Sequence, residues 1–235
     1  MVGADLPPDT SLLRRHADPD GYGYGWLLVL ILSSLAFQLG APETESARAL
    51  TIGLQGLTLL AALWVARVPR RLLQGAAVVV LASVLIAVGV LISSVELSWV
   101  SGRLVGLLLV VLAPLAIALG IVRQARTAGA ITIRTMFGVL CVYLLIGMAF
   151  AFAYGLIAGI EDGAFFAQID DGTPADFLYF SFATITTTGF GDLTANDDLG
   201  RSLAITEALI GQFYLVTVVA LIVSNLGLAR RSTSG

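Results

Sequence analysis

The sequence predicts an all-α membrane protein that crosses the bilayer several times, and three observations carry that prediction. The first is composition. Of 235 residues, 57% are hydrophobic and 12% charged, with a mean hydropathy of +0.92; an ordinary soluble domain carries about 25% charged residues. The second is the length of the apolar runs. A bilayer core about 30 Å thick takes roughly 20 helical residues at about 1.5 Å each. Six segments qualify, at 22–39, 50–66, 72–94, 104–122, 136–160 and 203–228. The third is where the cations sit. All 13 basic residues are arginines. Arg14, Arg15, Arg67, Arg70, Arg71, Arg123, Arg126, Arg134, Arg230 and Arg231 fall on one side of the six spans, and only Arg48, Arg103 and Arg201 on the other. Arginine excess marks the cytoplasmic side, so both termini are expected inside a multi-pass protein of the cell membrane.

Residues 1–21 form a short polar cytoplasmic tail. The apolar core of the first span ends in small residues, as a signal peptide does, but its polar lead is long and its run is that of a full span. "GYGYG" at Gly21–Gly25 opens it and reads as an interfacial aromatic anchor. The second span is the shortest, with Ala47 as its earliest start. Residues 22–130 then make a four-helix collar with no acid inside its spans. The fourth span has no basic residue. Arg123 and Arg126 lie only at its cytoplasmic end, so strong intrinsic voltage sensing is not expected.

Residues 131–235 differ. The connection between the fifth and sixth spans is about 40 residues long, far beyond a turn, and holds Glu161, Asp162, Asp170, Asp171, Asp176, Asp192, Asp197 and Asp198. Inside it, "TPADFLYFSFATITT" reads as a short helix: Thr173 caps it, Pro174 fits the first turn and Asp176 completes a capping box. At about 12 residues it enters a membrane without crossing. Bare backbone in lipid is tolerated only when buried in protein or lining water, so "TTTGFGD" after it belongs inside an assembly. Its alternating glycines suit positive φ, which turns successive carbonyl oxygens to one side. Four such strips around an axis would replace an ion's water shell.

Thr187-Thr188-Gly189-Phe190-Gly191-Asp192 resembles the T-V-G-Y-G-D signature of potassium channels. The order of outer helix, pore helix, filter and inner helix over residues 136–228 resembles that family's pore module, and "LGRSLAITEALIGQ" resembles the inner-helix start of its bacterial members. The resemblance implies a homotetramer conducting K+ passively, with the carbonyls of Thr187, Thr188, Gly189 and Phe190 and the Thr187 hydroxyl facing the ions. Gly191 closes the strip and Asp192 stands behind its outer mouth. Tyr179 is a candidate partner for Asp192, and Thr184 is a further supporting residue. Ala183, where relatives often carry a second acid or a valine, has no side-chain hydrogen bond to offer. Thr188 in place of valine and Phe190 in place of tyrosine are departures that favour a softer filter, and the Thr188 hydroxyl needs a partner behind it.

Glu207, deep in the last span, must face protein or water; it reads as a brace behind the filter or as a gating or proton-sensing group. Gly211 is a candidate gate hinge or a point of close helix approach. No nucleophile–base pair, phosphate loop or metal cluster is visible, so no enzyme activity, cofactor, nucleic-acid partner or soluble partner is expected; the permeant K+, lipid and other copies of the chain are the implied partners. Competing readings are a weakly selective cation channel, a non-conducting membrane scaffold, and a subunit of an ion-uptake transporter.

Overall fold

The computed structural model describes residues 23–40, 44–65, 71, 74–82, 85, 133–161 and 163–231. The expected fourth span and most of the third lie outside these residues. Five helices are named in chain order: α1 (Gly23–Gly40), α2 (Glu45–Val65), α3 (Ile133–Ile160), α4 (Pro174–Ile185) and α5 (Asp198–Arg231). A further helical stretch covers 74–82. The protein is mostly helical. Among the described residues the nearest thing to a strand is an isolated antiparallel bridge between Phe166 and Ala195.

The helices start where local chemistry lets them. Thr44 Oγ1 accepts from the Ala47 N–H at 3.2 Å, so α2 begins at Glu45 rather than within the apolar run, earlier than the sequence suggests. Asp197 Oδ1 accepts from the Gly200 N–H at 3.2 Å and starts α5 five residues before the expected span. At α4 both halves of the capping box are formed: Asp176 N–H donates to Thr173 Oγ1 at 3.2 Å and Thr173 N–H to Asp176 Oδ2 at 2.9 Å. With Pro174 as its first residue, which needs no donor, α4 has its start fixed.

Met136–Ile160 of α3 is long and apolar enough to cross a membrane, and Tyr24–Gly40 and Leu50–Val65 are shorter apolar helices. The outward side chains of α1 and α2 are apolar too, among them Trp26, Leu32, Leu50 and Trp64. A helix apolar all round belongs in lipid or in a core.

α3 is the centre of the packing. α1 lies on it through Tyr24, Leu27 and Ile31, which share one helical face and meet Cys141, Leu145 and Met148. Tyr24 is therefore buried in this packing. Because α1 begins at Gly23, the ring enters on the same face as Leu27 and Ile31, and its carbonyl accepts from Cys141 Sγ at 3.8 Å. α3 also carries α4 and α5, and Leu178 of α4 joins the same cluster as the α1 residues. A second cluster, Tyr154, Phe165, Phe166, Phe177 and Phe180, fixes the 163–172 loop against α4, with ring centroids 5.0–5.1 Å apart at the Phe165–Phe166, Phe166–Phe177 and Tyr154–Phe180 contacts.

Candidate functional site

The end of α4 sets the geometry. A helix leaves its last carbonyls without intrahelical donors. Here the strip that follows supplies them: Thr186 N–H donates to Phe182 O at 3.3 Å, Thr187 N–H to Thr184 O at 2.8 Å, and the N–H groups of Thr188 and Gly189 both donate to Ala183 O, at 2.9 and 3.0 Å. Each peptide unit is planar and, with no cis bond present, trans. An N–H aimed at α4 therefore turns the preceding carbonyl away from it. The carbonyls of Thr186, Thr187 and Thr188 accordingly face the side opposite α4.

The backbone dihedrals carry this alternation outward. Thr187, Gly189 and Gly191 have positive φ of 56°, 55° and 79°, while Thr188 and Phe190 between them do not. The two glycines adopt this without penalty. Thr187 is β-branched, and the left-handed region costs an L-residue roughly 1–2 kcal/mol. The strip is exposed on the single chain from Thr186 to Asp192.

Side chains hold the strip from behind. Tyr179 Oη donates to Asp192 Oδ2 at 2.7 Å, and the Tyr179 ring lies parallel to Phe190 at 6.0 Å. The Asp192 carboxylate also accepts from the Leu193 N–H at 3.1 Å. Thr188 finds the partner its hydroxyl needs in Thr186 Oγ1, 2.8 Å away, and Thr186 donates on to Phe182 O at 2.6 Å. Thr184 contributes its carbonyl. Ala183, whose side chain offers nothing, supplies through its carbonyl the acceptor shared by two N–H groups.

Around this core, Tyr143 Oη donates to Ile185 O at 3.0 Å and Tyr214 Oη to Val139 O at 2.6 Å, so α3 is tied to α4 and to α5. Gly211 lies where α5 passes the end of α4. A Cβ there would meet the Ile185 backbone oxygen and come within 2.7 Å of Ile185 Cγ1. α5 runs through this residue without interruption, so close approach is what the glycine provides in this structure. Glu207 is fully buried between α5, α4 and α3, with Tyr154 and Ser181 on its two carboxyl oxygens. Outside the strip, Gln168 clasps Thr194: its Nε2 donates to Thr194 Oγ1 at 2.8 Å and its Oε1 accepts from Thr194 N–H at 2.9 Å.

Sequence reasoning missed Thr186, Ser181, Tyr143, Tyr154 and Gln168. The run of three threonines was the one signal that pointed to Thr186. The others meet their partners from 26 to 53 residues away, which no local pattern reveals.

Residues 138–227 match the model of the ion channel family. No curated protein and no solved structure matches the chain. The matched span runs from α3 through α4 and the strip into α5.

Proposed function

We propose that this chain, which belongs to the pore-loop ion channel family through residues 138–227, is one subunit of a potassium-selective channel, a homotetramer of fourfold cyclic symmetry. One strip cannot enclose an axis; four can. The observation that carries this reading is the alternation of φ at Thr187, Gly189 and Gly191, joined to the N–H groups of Thr187, Thr188 and Gly189, which turn back to α4. It leaves a row of carbonyl oxygens to stand in for ion hydration.

The sign of the selected ion follows from two dipoles. The carbonyl row is negative towards the axis. The C-terminus of α4, the negative end of its macrodipole, lies directly behind it. Both favour a cation and oppose an anion. Among the described residues α5 presents Ile205, Leu209, Phe213 and Val216, all well exposed and spaced on one face, and Phe190 lies exposed beside the strip. Packing four copies about an axis would cover such a face.

In this reading K+ enters from the acidic outer connection, loses water stepwise against the carbonyls of Thr187, Thr188, Gly189 and Phe190 and the Thr187 hydroxyl, and leaves into a cavity lined by α5. The pore module is residues 131–235, with Asp192, Tyr179, Thr184 and Glu207 supporting the strip. Residues 22–130 are a four-span collar, giving six spans in all, and both termini are cytoplasmic. The first helix already packs on the pore module through α3.

Bi-ionic reversal potentials on the reconstituted protein test the reading. A strong preference for K+ over Na+ is expected, and near-equal permeability would overturn it in favour of a weakly selective cation channel. Thr188 and Phe190 motivate that second reading. Against it, the Thr188 hydroxyl is tied to Thr186 and the Phe190 ring is stacked on Tyr179, so neither departure leaves the strip unsupported.

A further inference from the structure

Three short oxygen–oxygen contacts meet around Glu207. Tyr154 Oη lies 2.6 Å from Glu207 Oε2, Ser181 Oγ lies 2.5 Å from Glu207 Oε1, and the same Ser181 Oγ lies 2.6 Å from the Gly147 carbonyl oxygen. Ser181 and Glu207 are each 0% exposed. Oxygen atoms this close have a hydrogen between them, since O–H···O bonds span about 2.5–3.0 Å. Three contacts therefore need three hydrogens.

The hydrogens can be assigned by elimination. A backbone carbonyl only accepts, so the contact to Gly147 takes the single hydroxyl hydrogen of Ser181. Ser181 Oγ then has only lone pairs to offer Glu207 Oε1, and the hydrogen in that contact must come from the carboxyl group. Tyr154 donates to the other carboxyl oxygen. An ionised Glu207 would leave two hydrogens for three contacts, with one pair of oxygens pressed together bare.

We infer that Glu207 is held as a neutral carboxylic acid that donates from Oε1 to Ser181, so that Tyr154, Glu207, Ser181 and the Gly147 carbonyl form one directional donor chain joining α5 to α4 and α3. The surroundings agree. From α3 the titratable groups on this side are Tyr154 and, further along the helix, Tyr143, which is engaged with Ile185 O. α4 offers Ser181. On α5 itself, Arg201 is turned to the Ala195 carbonyl and to Asp198. Among the described residues no cation pairs with Glu207. A lone carboxylate sealed among helices is strongly disfavoured, and a neutral acid avoids most of that cost.

The chain makes Glu207 a positioning residue. Ser181 stands two residues before Ala183, whose carbonyl holds the N–H groups of Thr188 and Gly189. Removing the Glu207 proton forces Ser181 to give its hydrogen to the carboxylate and to give up Gly147, which loosens α4 against α3. Its effect on conduction rests on the channel reading; the location of the proton does not.

The test uses the full chain in lipid vesicles. Infrared difference spectra of wild type against Glu207→Gln are expected to show a protonated-carboxyl band at neutral pH that the variant lacks and that wild type loses in alkali. Glutamine supplies an acceptor and a donor in the same places. The thermal midpoint of the variant is therefore expected to stay level with rising pH where that of wild type falls. Glu207→Ala, which removes both groups, is expected to be less stable at every pH. Absence of the band in folded wild type, or a variant whose midpoint tracks pH as wild type does, overturns the inference. Potassium flux measured on the same vesicles separates the two claims: the band without flux overturns the channel reading and supports this one.

Discussion

At the scale of single residues, hydrogen counting around the strip decides which threonine matters for stability. Thr186 has one hydroxyl hydrogen, and the 2.6 Å contact to Phe182 O takes it. Thr188 is then the donor in the 2.8 Å contact between the two hydroxyls. Thr186→Val leaves the Thr188 donor without its acceptor, which costs about 1–3 kcal/mol where water is excluded. A lower thermal midpoint of the assembled protein and a reduced K+/Na+ permeability ratio are expected. Thr188→Val removes a donor and leaves Thr186 satisfied by Phe182, so its midpoint is expected to fall less than that of Thr186→Val. Equal losses in the two variants would contradict the direction of the relay.

At the scale of elements, the structure turns on the crossing of α5 with the end of α4. Gly211 lets the two approach until the helix backbone faces Ile185 O, and that oxygen is pinned from the other side by Tyr143 at 3.0 Å. Neither partner can yield cheaply. Gly211→Ala is expected to destabilise by about 1–3 kcal/mol, as overpacking a filled site does, and thermal denaturation of the purified protein checks it. A glycine kept only as a hinge would instead change the open fraction of the channel and leave the melting temperature where it was. The apolar run of the last span revealed its helix but not this crossing, because contact between α4 and α5 depends on where the chain returns after the strip.

Across the whole molecule, the C-terminal end of α3 and the start of α5 meet in a pair of acids. Glu161 directly follows α3 and Asp197 caps α5, and a hydrogen bond between their carboxyl groups is the main cause that raises the Glu161 pKa above 4.5, with desolvation and the Asp197 charge adding to it. The folded form holds this proton more tightly than the unfolded chain. Stability from the pair is thus complete at pH below 4.5 and lost as pH rises through the raised value. Glu161→Gln is expected to raise the melting temperature slightly at neutral pH and to leave it unchanged in acid, with a small effect because the pair faces solvent. A melting curve series across pH checks the crossover.

By itself the sequence determined the mostly helical character, the α4 capping box and the positive φ of Gly189 and Gly191, because each depends on neighbours in the chain. Apolar runs need only their own length to imply membrane helices; Thr173, Pro174 and Asp176 act within one turn; Gly189 and Gly191 permit positive φ wherever they stand. Only the tertiary structure decided what lies behind the strip. The clasp of Gln168 on Thr194, the packing of Tyr24 on α3 and the donor chain through Glu207 join segments far apart in sequence, and the Ala183 carbonyl becomes a shared acceptor because the strip folds back on the end of α4. Their partners are fixed by how helices and loops meet in space, and the hydrogen-bonding needs of buried polar groups specify a partner's chemistry without specifying its position in the chain.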